Sequence, residues 1–290
     1  DLSAAEKWNI PVAPNLVFIK GSILDEETLK RGFSGKLDFV FHLAAHFANQ
    51  NSVDNPETDL EVNGLGTLKV LEYSHLAKVP KIVFASSGCS VYGSQAPLPL
   101  KEDFVSLHLD TPYQITKLLG ELYCNYFYNY YGLPVVIARY FNVYGPGEVP
   151  GAYRNVTPNY MYRALHHQKL HITGTGDETR DFTFVEDIVA GTLLLGVVPE
   201  AVGDAFNLAS ETETKIIDLA NIVNKITKNP SGVEYIAQRD WDKITRRRAS
   251  IEKAKRVLGY EPKIEIGEGI KRVYDWFTEN RDNIEASARF

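Results

Sequence analysis

The sequence predicts an α/β fold, a doubly wound parallel sheet with a smaller C-terminal lobe. Three observations predict it. Short apolar runs alternate with helical stretches through the first half of the chain. Those runs are nearly continuous in apolar residues, as in parallel strands covered on both faces. After Gly145 the texture changes to shorter elements punctuated by Pro146, Gly147, Pro150, Gly151, Gly174 and Gly176.

In chain order, residues 16–19 (LVFI) read as a short buried strand and residues 25–31 as a helix with an acidic first turn. Residues 38–45 (DFVFHLAA) read as a strand, and residues 55–76 as a long helix with Pro56 near its start, where proline is tolerated. Residues 81–87 (strand), Pro112–Tyr131 (helix) and residues 134–140 (PVVIARY, strand) complete the alternation. Right-handed crossovers then place helices on both faces of the sheet. Further helices are expected at residues 159–167, 185–196, 215–225, 251–258 and 268–280. Residues 1–145 thus form the first domain, and residues 146–290 mainly the second lobe, interleaved with the first.

Composition narrows the function classes. The chain of 290 residues is 44% hydrophobic, enough for a large core. A net charge of −6 lacks the basic excess of a nucleic-acid binder. Two cysteines, Cys89 and Cys124, make neither a disulfide framework nor a metal quartet, which fits a reducing cytoplasm. No run approaches the roughly 20 apolar residues of a membrane span, and no secretory leader is read. His42 and His46 are not spaced against further ligands, so no metal site is expected.

Tyr113 and Lys117 form a Y-x-x-x-K. On a helix, residues four apart share a face. An ammonium beside a phenol favours the phenolate and so brings the tyrosine toward acid–base work at neutral pH. The pair opens a helix after Asp110-Thr111-Pro112, an N-cap followed by proline. The strand before it empties into ASSGCSVYG, residues 85–93, rich in hydroxyls and glycine. Ligands of open α/β sheets bind beyond the carboxyl ends of strands, where such groups meet. Taken alone, Y-x-x-x-K also fits an amphipathic helix with a snorkelling lysine.

The ordered set FHLAAHFA (41–48), NGLGT (63–67), SSGCSVYG (86–93), TPYQITK (111–117), ARYFNVYGPG (138–147), RDFTFVEDI (180–188), FNLAS (206–210) and SIEKAKRVLGY (250–260) resembles the extended short-chain dehydrogenase/reductase family. Within it, the chain is similar to NAD-dependent nucleotide-sugar epimerases and dehydratases of the UDP-galactose 4-epimerase kind. The resemblance runs over essentially the whole chain. It implies a Rossmann-like fold, NAD as cofactor and a nucleotide sugar as substrate. It makes Tyr113 the acid/base, with Lys117 binding the nicotinamide ribose. Ala44, Ala45, Asn63 and Ser86 would line the cofactor. Asn142 and Asn155 would touch the substrate, and Arg180 and Arg239 would hold its diphosphate or nucleotide, as forked guanidinium donors do. For Arg239 a solvated basic face is the competing reading, because Arg246, Arg247 and Arg248 crowd the same region.

The family places a Ser or Thr three residues before V-Y-G. Counting back from Val91 gives Gly88, while counting forward from the strand gives Ser87. Ser87 is favoured, because a strand end fixes position better than a loop; Ser90 is the fallback. Cys89 reads as a small buried thiol rather than a nucleophile. Sugar 4,6-dehydratases carry an Asp-Glu pair immediately before V-Y-G. Cys89 and Ser90 stand there instead, which disfavours dehydration.

The family's opening glycine-rich loop, which holds the dinucleotide pyrophosphate at a helix N-terminus, is absent from this sequence. Either it precedes Asp1 or it has been deleted; a chain opening at Asp1 with its one methionine at Met161 favours the first. Thr173, Asn155 and the loop at residues 147–154 sit where sugar specificity is expected. The stripe Tyr123, Tyr126, Phe127 and Tyr130 reads as core packing. By resemblance its helix and residues 55–76 would instead build a homodimer interface. The sequence therefore reads as a C4 epimerase of a UDP-hexose or its N-acetyl or uronic derivative. A dehydratase, decarboxylase or reductase of the same fold, or a non-catalytic NAD- or sugar-nucleotide-binding protein, is the alternative.

Overall fold

A computed structural model describes the whole chain, Asp1–Phe290. It divides into two compact units. The first comprises Asp1–Ser86, Thr111–Ala138 and Leu195–Ala205, and the second Ser87–Asp110, Arg139–Leu194 and Phe206–Phe290.

In the first unit, α1 (Glu26–Gly32) starts at Asp25, whose carboxylate accepts from the Thr28 amide at 2.9 Å. Then come β1 (Val40–His42), α2 (Asn49–Asp54) and α3 (Pro56–Asp59). A π turn, Leu60–Leu65, joins α3 to α4 (Gly66–Leu76), so the expected long helix carries a local change of pitch. β2 (Ile82–Ser87), α5 (Pro112–Tyr131) and β3 (Val135–Tyr140) follow. β1 pairs in parallel with β2, Val40 opposite Ile82 and His42 opposite Phe84. Leu71, Ile82, Phe84, Phe127, Val135 and Ile137 form one buried cluster that holds α4 and α5 to these strands.

Two expectations are corrected here. Residues 16–19 make no strand: Leu16, Val17 and Phe18 are exposed, and none of the sheets includes them. An apolar run becomes a strand only where a neighbour supplies the hydrogen-bond ladder. The strand expected over residues 38–45 shortens to β1, which lies at a sheet edge; Phe39 and Leu43 beside it are exposed rather than covered.

The second unit contains β4 (Asn142–Tyr144), α6 (Val156–Leu165), β5 (Leu170–Thr173), β6 (Thr179–Phe184) and most of α7 (Val185–Val197). β7 (Ala205–Leu208), β8 (Glu213–Lys215), α8 (Ile216–Thr227), β9 (Val233–Ile236), α9 (Glu252–Leu258), α10 (Ile266–Glu279) and α11 (Arg281–Ser287) follow. The main sheet has the order β1-β2-β3-β7. A second sheet, β4-β6-β8, pairs β4 with β6 in parallel and β8 antiparallel, and β5 pairs in parallel with β9. Ile270, Val273 and Phe277, one face of α10, are buried where that helix packs on α6 and α8. No helix of the chain is long and apolar enough to cross a membrane.

Candidate active site

The first unit holds the Tyr–Lys pair at the start of α5. Thr111 caps the helix, accepting from the Gln114 amide, and Pro112 occupies the first turn. The Tyr113 amide donates to Ser52 Oγ at 3.0 Å, tying this turn to α2. One turn on, Lys117 is buried, with Nζ donating to the Ala85 carbonyl at 2.9 Å and lying 5.6 Å from the Tyr113 ring centre. Gly120 makes room for the Phe84 ring, above which the ammonium sits at 5.5 Å. Burial lowers the Lys117 pKa to about 8, and the Asp59 charge opposes that fall. His42, buried and 2.9 Å from Thr67 Oγ1, is pushed down to about 3 by desolvation and is therefore neutral.

The residues expected around a dinucleotide fall into two kinds. Ala44 is exposed and Ala45 half-buried, small side chains following β1. Asn63 and Ser86 are buried and engaged. Asn63 Oδ1 accepts from the His46 amide at 2.8 Å, and its Nδ2 donates to the His46 carbonyl at 3.0 Å. Ser86 donates to Glu121 at 2.5 Å. The chemistry of the donor set fits the nicotinamide-ribose end of NAD: the Lys117 ammonium has three N–H bonds and gives one to Ala85.

In the second unit, Ser87 ends β2 and accepts from Ser90 Oγ at 3.0 Å, which leaves its own proton to donate. Ser90 is fully buried. Gly88 has a packing reason: a Cβ there would strike the Phe141 ring. Cys89 places its thiol 3.4 Å from Asn142 Oδ1, and burial raises its pKa, which argues against a thiolate. Asn155 bonds Glu148 through both its amide N–H, at 3.2 Å, and its side chain, at 3.3 Å. Arg180 pairs with Asp242 at 3.2 Å and is mostly buried. Arg239 is exposed, its guanidinium 5.6 Å from the Trp241 ring.

The expected basic face at residues 246–248 separates into three environments. Arg246 pairs with Glu213 and Arg248 donates to the Glu211 carbonyl. Arg247 instead is buried, donates to the Cys89 carbonyl and feels the like charge of Arg180. Sequence reading passed over it, because nothing local distinguishes the middle of three arginines. No cluster of three His, Cys, Asp or Glu side chains is disposed to hold a metal ion.

Comparison with known proteins gives the family of the chain. The NAD dependent epimerase/dehydratase family matches residues 2–209. A UDP-glucose 4-epimerase of Mycolicibacterium smegmatis is 33% identical over 96% of this chain and 88% of its own. The structure of the epimerase Mth375 from Methanothermobacter thermautotrophicus superposes with a TM-score of 0.99 at 58% identity, covering all of this chain and 86% of that one. The Bordetella bronchiseptica enzyme WbmF, solved with NAD+ and UDP, superposes with a TM-score of 0.84 at 37% identity over 98% of this chain and 84% of its own. Decarboxylases and 4,6-dehydratases of nucleotide sugars are relatives as well. On these matches and this fold, the chain belongs to the NAD-dependent epimerase/dehydratase family.

Proposed function

We propose that the chain is an NAD-dependent epimerase acting at C4 of a UDP-hexose or its N-acetyl or uronic derivative, by way of a transient 4-keto sugar. The observation that carries this reading is the stacked, buried Tyr113–Lys117 pair at the carboxyl end of β2. Tyr113 takes the proton of the sugar C4 hydroxyl and later returns it. Lys117 holds the ribose and favours the phenolate. NAD, held at its ribose by Lys117, would supply the acceptor and donor for the C4 hydride. Ser87 donates to the reacting oxygen, with Ser90 orienting its hydroxyl. Asn142 and Asn155 contact the sugar nucleotide. Arg180, Arg239 and the buried Arg247 supply donors to its diphosphate. Cys89 and Ser90 precede V-Y-G, so the acidic pair that a dehydratase needs is replaced by a thiol and a hydroxyl.

The reading extends to a cytoplasmic homodimer. Ile115, Leu122, Tyr126 and Tyr130 of α5 are exposed, as are Leu60 and Leu65 of the π turn. Of the aromatic stripe expected in the core, Phe127 alone is buried; Tyr126 and Tyr130 leave an apolar face that a second copy would cover.

The test is incubation with a panel of UDP-hexoses and NAD, following C4 epimers by NMR. Interconversion without net NADH is expected. Release of CO2, or a stable keto product, would replace the epimerase with a decarboxylase or dehydratase.

A further inference from the structure

Asp59 belongs to none of the roles above, yet it is fully buried. A buried carboxylate is costly unless donors surround it. Here both oxygens accept: Oδ1 from the Thr116 hydroxyl at 2.6 Å and Oδ2 from the Asn63 amide at 2.9 Å. Burial raises the Asp59 pKa, while the Thr116 bond and the His46 and Lys117 charges act to keep it ionised. His46 Nδ1 lies 3.7 Å from Oδ2, buried and otherwise without a hydrogen bond. Thr116 immediately precedes Lys117. Asn63 lies in the π turn that starts just after Asp59, and such turns are rare and frequently mark functional sites.

The charged and titratable groups around Lys117 single out Asp59. From β1 comes His42, neutral through burial. From α5 come Tyr113, the buried Glu121, which accepts from Ser86, and Cys124, a thiol that burial raises well above its ordinary range. From α3 comes Asp59, itself faced by His46. Of these, Asp59 is the carboxylate whose charge acts on the ammonium.

We propose that Asp59 is a positioning residue of the Tyr113–Lys117 pair. Its carboxylate is the countercharge that keeps Lys117 an ammonium, and its bonds to Thr116 and Asn63 fix that turn of α5 against the segment carrying His46. The inference rests on the proposed function for its catalytic consequence but not for its electrostatics.

The test uses the full chain and the near-isosteric Asp59→Asn variant. Lys117 is titrated directly by nitrogen-detected NMR without substrate, its signal assigned by loss in Lys117→Met. Removing the countercharge should lower the titration midpoint by about one pH unit or more. The alkaline limb of the kcat/KM profile for UDP-hexose epimerisation should move with it. Thr116→Val keeps the carboxylate but removes one donor, and should move Lys117 in the same direction by less. An unchanged midpoint in Asp59→Asn overturns the proposal, as does a uniform loss of kcat with an unshifted pH profile. If Asp59→Asn does not fold, an unshifted Lys117 in Thr116→Val is the overturning result. A wild-type chain that turns over no nucleotide sugar defeats the proposed function, while the NMR titration still decides the role of Asp59.

Discussion

Replacing Gly88 by alanine or serine tests why the hydroxyl belongs to Ser87. The Gly88 amide donates to the Tyr140 carbonyl at 2.8 Å, so the backbone cannot back away. An added Cβ meets the far edge of the Phe141 ring. That ring is 6% exposed and stacks on Tyr92, with centroids 6.2 Å apart. Tyr92 is itself fully buried, donating to Asn207 at 2.7 Å and accepting from Arg139 at 3.0 Å. The ring therefore has no easy retreat, and overpacking of this kind costs about 1–3 kcal/mol. In a chain of this size that lowers Tm by roughly 2–4 °C per kcal/mol. The assay is unfolding of Gly88→Ala, Phe141→Leu and the double variant, read as a cycle. The smaller leucine side chain at position 141 should remove most of the cost of alanine at 88. A Gly88→Ala chain as stable as wild type, or a cost that persists in the Phe141→Leu background, would refute the packing account and reopen position 88 as a lost hydroxyl.

Three further outcomes follow from the same geometry. Tyr113→Phe should lower turnover by about 10²–10⁴-fold, the contribution of a positioned acid/base, while UDP-sugar binding by calorimetry stays within a few fold; retained turnover would remove Tyr113 from its role. Lys117→Met should be inactive. The ordinary lysine pKa of 10.5 falls to about 8 in the folded chain, so between those values the unfolded chain binds more protons. Wild-type stability should consequently rise by roughly 3 kcal/mol from pH 8 to 10.5 relative to Lys117→Met, and parallel curves in denaturant titrations would contradict the burial account. Leu122→Glu places a charge on the exposed face of α5 and should shift sedimentation from dimer toward monomer; a wild type that sediments as a monomer would dismiss the dimer.

What the sequence discloses is what local chemistry decides. Helix α5 is legible because Thr111 and Pro112 are a start signal written in neighbouring residues; in the structure the left-handed Gly132 ends it. β2 and β3 were readable because their apolar runs are filled on both faces. Residues 16–19 carry the same kind of run and make no strand, since pairing depends on a partner that composition does not mention. The strands β4, β5, β7, β8 and β9 are too short to give a detectable periodicity, and β6, as long as β2, is written TRDFTF, with charged and hydroxyl residues in place of an apolar run.

The site divides along the same line. Tyr113 and Lys117 are four residues apart, and their spacing alone brings them to one helix face. Arg247 and Asp59 take their character from burial, which distant residues impose. Arg247 differs from Arg246 and Arg248 only in the carbonyl it reaches 158 positions away, at Cys89. Asp59 differs from the exposed Glu57 and Glu61 in facing Asn63, His46 and, 57 positions on, Thr116. A buried charge is costly to keep without a partner, so each such residue records a long-range contact that motif reading does not see. For this chain those contacts lead back to the residues that the motifs mark: Asp59 to Thr116, beside Lys117, and Arg247 to the turn that follows Ser87.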